Sequence, residues 1–263
     1  MTVFHAIVEL TKASWRVLRR HPCLAWFPVL SLASVIAIML FVLPVLIPGD
    51  DDGVPFLTVL VMSVLFFVAH IFFTTALTAE ALRALRGETP SITDGLATAT
   101  THVPAIVTLS LISATFGAFV GLLGRSSKVA LKLARALVNT AWSLATYLAI
   151  PVMVQERRGG LPSLRRSSDL FRRTWGETAL SEVGVRVLTA HLSLILLLVA
   201  VVVIELLGDG IGMVIVLMLT IGFIAIVGAL EAIYRAALYV FAAEGVIPEP
   251  FSGPELDDIW RAK

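Results

Sequence analysis

Residues 142–176 read WSLATYLAIPVMVQERRGGLPSLRRSSDLFRRTWG, and three kinds of segment follow one another within them. Apolar helix formers run from Trp142 to Val154. Pro151 sits among them and leaves the carbonyl four residues earlier without its N–H partner, which loosens the helix there. Glu156, Arg157, Arg158 and Gly159 close the run. After Pro162 the pattern restarts as an amphipathic, arginine-rich helix. A membrane span, its exit and a helix lying in the interface are written in that order.

The composition agrees with a chain made for lipid. Of 263 residues, 58% are hydrophobic and only 15% charged, with a mean hydropathy of +0.93. A soluble domain carries closer to half apolar and about a quarter charged residues. The net charge of +1 gives no general attraction to a polyanion, which argues against a nucleic-acid partner. The single cysteine, Cys23, excludes an intrachain disulfide and reads as a small apolar filler at the start of a span. The first apolar run ends in FVLPVLIPGDDDG without a small-x-small cleavage site, so it is expected to be retained.

The same succession of segments recurs on both sides of the quoted stretch. Residues 2–20 place Phe4, Ile7, Val8, Thr11, Trp15 and Leu18 on one stripe, with His5, Glu9, Lys12, Arg16 and Arg19 opposite. That pattern predicts a helix in the headgroup plane with its apolar face down. Spans are predicted at about 23–47, 55–81, 104–123, 136–155, 187–207 and 211–241, each near the roughly 20 residues needed to cross. Ser91 to Thr101 forms a second surface helix, with Ile92, Leu96 and Val103 at helical spacing. A third lies within the basic segment 156–186, where Leu164, Ser167, Ser168, Phe171 and Trp175 are placed on the membrane side. Turns are expected at Asp50, Asp51 and Asp52 and at Gly208-Asp209-Gly210, and a polar tail at 244–263. The expected fold is all-α: a single polytopic membrane domain of six transmembrane helices as three hairpins, each preceded by an amphipathic surface helix.

Each returning span closes on the same short signal, at Gly87 and Pro90, Gly159 and Pro162, and Gly245 and Pro248. Glycine there suits a helix C-cap, and proline a new start. With six spans, 16 of the 20 lysines and arginines fall on the side of the termini, which the positive-inside rule assigns to the cytoplasm. The other four, Arg125, Lys128, Lys132 and Arg135, make one helical stripe. They pair with the outer acids Asp50, Asp51, Asp52, Glu205 and Asp209, or form a basic mouth for an anion.

No catalytic motif is present. Gly121 to Lys128 reads GLLGRSSK, which is not a phosphate-binding loop, and no HExxH, GxSxG or CxxC occurs. His70, His102 and His191 share no ligand spacing with carboxylates, so neither a metal nor another cofactor is expected. The polar residues at membrane depth are the leads, because they are costly in lipid. His70 lies inside the second span on one face with Thr74 and Leu77, suited to packing or to handling a proton. Glu80, Glu156 and Glu231 sit near the ends of the returning spans. Glu80 with Arg83 and Glu231 with Arg235 have the spacing of intrahelical ion pairs. The three carboxylates are expected to cap the surface helices or to line a vestibule. Ser113, Gly117 and Gly121 make a small-residue ridge for close helix packing, within the chain or between copies.

The runs at 72–99, 142–160, 164–177 and 237–251 resemble a prokaryotic family of six-helix integral membrane proteins of unknown function. They carry an alanine-rich returning span closing on Gly87, Pro90 and Asp94-Gly95, joined to Pro151, Glu156, Ser167 and Trp175-Gly176. The resemblance covers essentially the whole chain. It implies a prokaryotic inner membrane and brings no catalytic residues. Arg165, Arg166, Arg172 and Arg173 are heavier than the family pattern.

The expected function is therefore that of a non-enzymatic, membrane-organising or partner-binding protein with a basic cytoplasmic surface. Arg165, Arg166, Arg172, Arg173 and Trp175 would contact anionic lipid headgroups, a second copy or another membrane protein. The alternative is a transporter or channel for a small molecule or ion, using the intramembrane polar residues.

Overall fold

The structure is a computed structural model and describes residues 3–42, 44, 56–123, 129–175, 181–253 and 260, with side chains except at 3–7, 56, 122–123, 129–130, 133, 175 and 181–209. In chain order the helices are α1 (Val3–Arg20), α2 (Trp26–Phe41), α3 (Phe56–Leu85), α4 (Ile92–Thr101), α5 (Val103–Leu123), α6 (Val129–Thr146), α7 (Ala149–Gln155), α8 (Gly160–Trp175) and α9 (Ser181–Glu244). Short 3-10 turns at Pro22–Ala25 and Glu249–Phe251 complete the order, and no strand occurs among the described residues.

Five stretches are long and apolar enough to cross a membrane: Pro22–Phe41, Leu57–Leu85, Val103–Gly121, Ala134–Gln155 and Gly210–Glu244. Between 11% and 33% of the most apolar window of each is buried inside the chain, so most of that surface needs lipid or another chain as solvent. Leu40, Phe41, Leu57, Leu111, Leu217 and Met218 stand exposed on it. This architecture is compatible with a multi-pass membrane protein.

The helix that organises the rest is α3, which touches α2, α4, α5, α7 and α9. Its second half is buried on every side, from Thr75 to Leu82 and again at Ala84. Ala76, Ala79, Ala81 and Ala84, with Thr75 and Thr78, keep that half thin enough for neighbours to close on it. Leu24 of the turn before α2, Phe27 of α2, Leu148 at the N-cap of α7 with Val152 inside it, and Ile233, Ala236 and Ala237 of α9 join it in one core. The core sits at one end of the bundle, where α2 and α5 begin and α3, α7 and α9 finish.

Two helix ends have the geometry their glycines predict. Gly87 is left-handed (φ 80°), and the amides of Gly87 and Glu88 bond back to the carbonyls of Ala84 and Arg83, a Schellman closure of α3. Gly245 (φ 70°) closes α9 with a bond from its amide to the Phe241 carbonyl. The middle member of the series differs: the left-handed residue is Arg157 (φ 48°) rather than Gly159.

All three amphipathic helices bury their small and apolar faces in protein, which corrects the expectation that those faces lie in lipid. Helix α1 packs Leu10, Ala13, Ser14, Val17 and Leu18 on α9 and the tail, leaving Trp15 and Thr11 outward. Helix α4 turns Gly95 and Ala99 inward. On α8, Ser163, Ser167, Leu170 and Phe171 are buried, and Leu164 packs against Ile106 and Met153. Glycine allows two of these approaches. A Cβ at Gly160 would lie 2.7 Å from the Ala105 carbonyl oxygen, and one at Gly95 would lie 2.7 Å from Phe27 Cζ. In contrast, Gly117 and Gly121 of the ridge on α5 have nothing within 4 Å of a Cβ among the described residues, whereas Ser113 of the same ridge is buried.

The fourth candidate span breaks at Tyr147–Leu148, four residues before Pro151, where the proline removes the helical N–H. The tail is not free either. Phe251 and Trp260 are almost fully buried, and Arg16 Nη2 donates to the Pro250 carbonyl at 2.9 Å.

The turn predicted at Gly208-Asp209-Gly210 is absent from the backbone, which is one 64-residue helix from Ser181 to Glu244. Two glycines among helix formers cost about 1 kcal/mol each, and no proline or cap is there to stop the helix. The predicted fifth span, 187–207, falls on residues whose side chains lie outside the described set. So does the turn at Asp50, Asp51 and Asp52.

Candidate functional site

The three carboxylates near the ends of the returning helices occupy three separate settings. Glu80 is fully buried, and its Oε2 accepts the Ser91 amide at 2.7 Å, at the N-cap of α4. This is the expected capping role: an anion under a helix start, where N–H groups lack partners. Arg83 Nη1 lies 3.3 Å from Glu80 Oε1 and 2.9 Å from Asp94 Oδ2, while its Nε donates to Glu88 Oε2 at 2.9 Å. One guanidinium thus ties the end of α3, the turn and α4 together. The absence of a side chain at Gly95 is what admits Glu80, since a Cβ there would lie 2.8 Å from Glu80 Cγ.

Glu156 accepts from Arg158 Nε at 2.6 Å and from Arg166 Nε at 3.1 Å. It fastens α8 by a side chain rather than by capping the backbone. Arg166 therefore differs from the other arginines with which the sequence groups it. Arg165, Arg172 and Arg173 are exposed on the side of α8 opposite its buried serines. The side chain of Trp175 lies outside the described residues, as do those of Arg125 and Lys128. Lys132 and Arg135 are exposed on α6.

Glu231 pairs with Arg235 one turn on, as the spacing predicts. The Arg235 guanidinium carbon also lies 4.7 Å from the centroid of the Tyr147 ring, a cation–π contact across to the break between α6 and α7. Glu231 and Arg235 line a cavity of about 280 Å³ between α2, α3 and α9. His70 opens on the same cavity from deeper along α3, with Ser31 from α2 and apolar walls from Phe27, Phe73 and Leu77. The cavity joins His70 to Glu231, and not to Glu80 or Glu156. The backbone at His70 accepts a bond from Thr74 Oγ1 at 2.7 Å. Among the described residues no group of three or more His, Cys, Asp or Glu is arranged to hold a metal ion.

Sequence reasoning placed Ser167 on the membrane side, missing its bond to the Leu148 amide, and it missed Gly160. Ser167 is a polar residue on an otherwise inward stripe, and its role depends on a break 19 residues away. Gly160 reads as one of two adjacent glycines in a turn, with nothing to separate it from Gly159. It also missed a cavity of about 650 Å³ between the α4–α5 turn and the α7–α8 turn, which contains Arg157 and Arg158.

The fold and these sites define an all-helical chain with several helices apolar enough for a membrane. A family model matches residues 54–248, and the chain belongs to that family, described as a family of unknown function (DUF6159). The match leaves out α1, α2 and the tail after Pro248, so it is shorter than the resemblance read from the sequence. No curated protein matches the chain, and no solved structure does.

Proposed function

We propose that this is a multi-pass membrane protein of the prokaryotic inner membrane, without enzymatic activity, that organises anionic lipid or a membrane partner at a basic face. The observation that carries this reading is the setting of α8. Its small and apolar face is occupied by protein, and Arg165, Arg172 and Arg173 point away from the bundle. Cations near a membrane surface gain about 1 kcal/mol each from anionic lipid. By the positive-inside rule, the end of the bundle bearing them and both termini are cytoplasmic.

The reading keeps six spans in the membrane. A helix of 64 residues is roughly 96 Å long, three times the roughly 30 Å hydrocarbon core. Residues 187–207 and 211–241 cross as the third hairpin only with a bend near Gly208 and Gly210, where the helix of the structure runs on unbroken.

The test is native mass spectrometry of the full-length protein released from native-membrane nanodiscs. The wild type is expected to retain anionic phospholipid, a second copy or a protein partner. The triple variant Arg165→Gln, Arg172→Gln, Arg173→Gln is expected to lose selection for anionic over zwitterionic lipid. An unchanged lipid complement in that variant sinks the reading.

A second reading, a transporter for a small molecule or ion, is favoured by the cavity shared by His70, Glu231 and Arg235. Ionisable residues at membrane depth mark such pathways. It predicts flux into liposomes that His70→Ala or Glu231→Gln abolishes.

A further inference from the structure

The three returning helices share a closing signal, yet only one closes on a cation. Helices α3 and α9 use glycine in the left-handed conformation, at Gly87 and Gly245. At the end of α7 that conformation belongs to Arg157, although Gly159 lies two residues away. A Cβ makes the left-handed region unfavourable, so a residue is held there against its own preference. Such strain often accompanies a functional role.

What this turn gains is a place for two arginines at the head of a cavity. The cavity measures about 650 Å³ and is lined by Thr98, Thr101 and His102 from one turn and Arg157, Arg158 and Gly159 from the other. Arg158 is held by Glu156 Oε2 at 2.6 Å. Arg157 is exposed and makes no hydrogen bond or ion pair among the described residues. The His102 Nδ1 lies 2.8 Å from the Thr98 carbonyl, which can only accept, so Nδ1 carries the proton and Nε2 is the ring atom left over. The cavity lies where the candidate span Val103–Gly121 begins and the span Ala134–Gln155 ends. On the membrane reading proposed above, that is the level of phospholipid phosphates.

The geometry points to a binding site for the phosphate group of a phosphate ester, held by Arg157 with Arg158 and Thr98. A guanidinium meets two phosphate oxygens with two parallel N–H donors, and the Thr98 hydroxyl supplies a further donor; that of Thr101 is already given to the Thr98 carbonyl at 2.7 Å. The ester is either a phospholipid headgroup or a soluble phosphate. The site rests on the reading that this end of the fold meets anionic headgroups, but it uses different residues from the outer face of α8.

Full-length protein is placed in nanodiscs of phosphatidylcholine with phosphatidylglycerol, released, and weighed by native mass spectrometry. The wild type is expected to hold one phosphatidylglycerol more tightly than the rest. Arg157→Gly suits the left-handed backbone, so its melting temperature should match or exceed that of the wild type. It should nevertheless weaken that one adduct about tenfold, while Arg157→Lys recovers part of the loss.

Inorganic phosphate added in detergent distinguishes the sources. Thermal protection by phosphate that depends on Arg157 assigns the site to a soluble ester. Its absence, with the lipid adduct retained, assigns it to phospholipid. An adduct that survives unchanged in Arg157→Gly overturns the site. If the triple α8 variant then still loses lipid selection, the broader reading stands alone. Loss of the single adduct in Arg157→Gly, with the triple variant unaffected, keeps the site and sinks the broader reading.

Discussion

The side-chain oxygen of Ser167 accepts a hydrogen bond from the backbone amide of Leu148 at 3.0 Å, and both residues are buried. Pro151 has already removed one helical bond at this break, so the serine of α8 satisfies an amide that neither span nor water serves. It also fixes where α8 lies against α7.

Replacing that hydroxyl is the most direct test. Ser167→Ala leaves a buried N–H without a partner, a loss of about 1–3 kcal/mol. Thermal unfolding in detergent should show a melting temperature several degrees lower. An unchanged value would mean that the amide finds another acceptor.

Two glycine replacements should differ in sign. A methyl at Gly160 would meet backbone atoms of Ala105 and Leu109 at 2.7 and 2.9 Å, so Gly160→Ala should destabilise by about 1–3 kcal/mol. Gly117→Ala meets nothing within 4 Å among the described residues and gains helix propensity of up to about 1 kcal/mol. Denaturation of the two variants side by side checks the pair.

Glu80→Ala removes the acceptor of the Ser91 amide and empties buried space beside Gly95. The loss is expected to be at least the roughly 1–3 kcal/mol of one unsatisfied buried group. It should appear locally first, as faster hydrogen exchange over Ser91 to Gly95. Protection equal to the wild type there would contradict the capping role.

Arg166→Gln separates the arginine that belongs to the fold from those on the surface. Its partner Glu156 is only partly exposed, and the pair is worth no more than about 1 kcal/mol. The variant should lose a little thermal stability and keep its lipid complement. A lipid change as large as that of Arg165→Gln would place Arg166 with the outer face.

Much of this was legible from local pattern. Helix ends are local, so Gly87 and Gly245 announce their closures within a few residues. The Glu231–Arg235 pair lies on a single helix, one turn apart, and needs no tertiary knowledge. The face of α8 could be read from its period, but not its destination, because lipid and protein both accept an apolar stripe. Ser163 and Ser167 become inward-facing only once α5 and α7 supply partners. The cavity around His70 draws on α2, α3 and α9, whose meeting no spacing encodes. At Gly208 and Gly210 turn composition suggested a break, and the surrounding helix formers prevailed.

The core gathers where α3, α7 and α9 finish, and this sets a gradient of stability along the bundle. Amides near Ala76 to Leu82 and Ile233 to Val240 are locked by neighbouring helices. Toward Leu57 on α3 and Met213 on α9 the side chains are exposed, and protection there has to come from outside the chain. The spacing of the helices at that far end is therefore set by whatever surrounds them, while their spacing at the near end is fixed by the sequence.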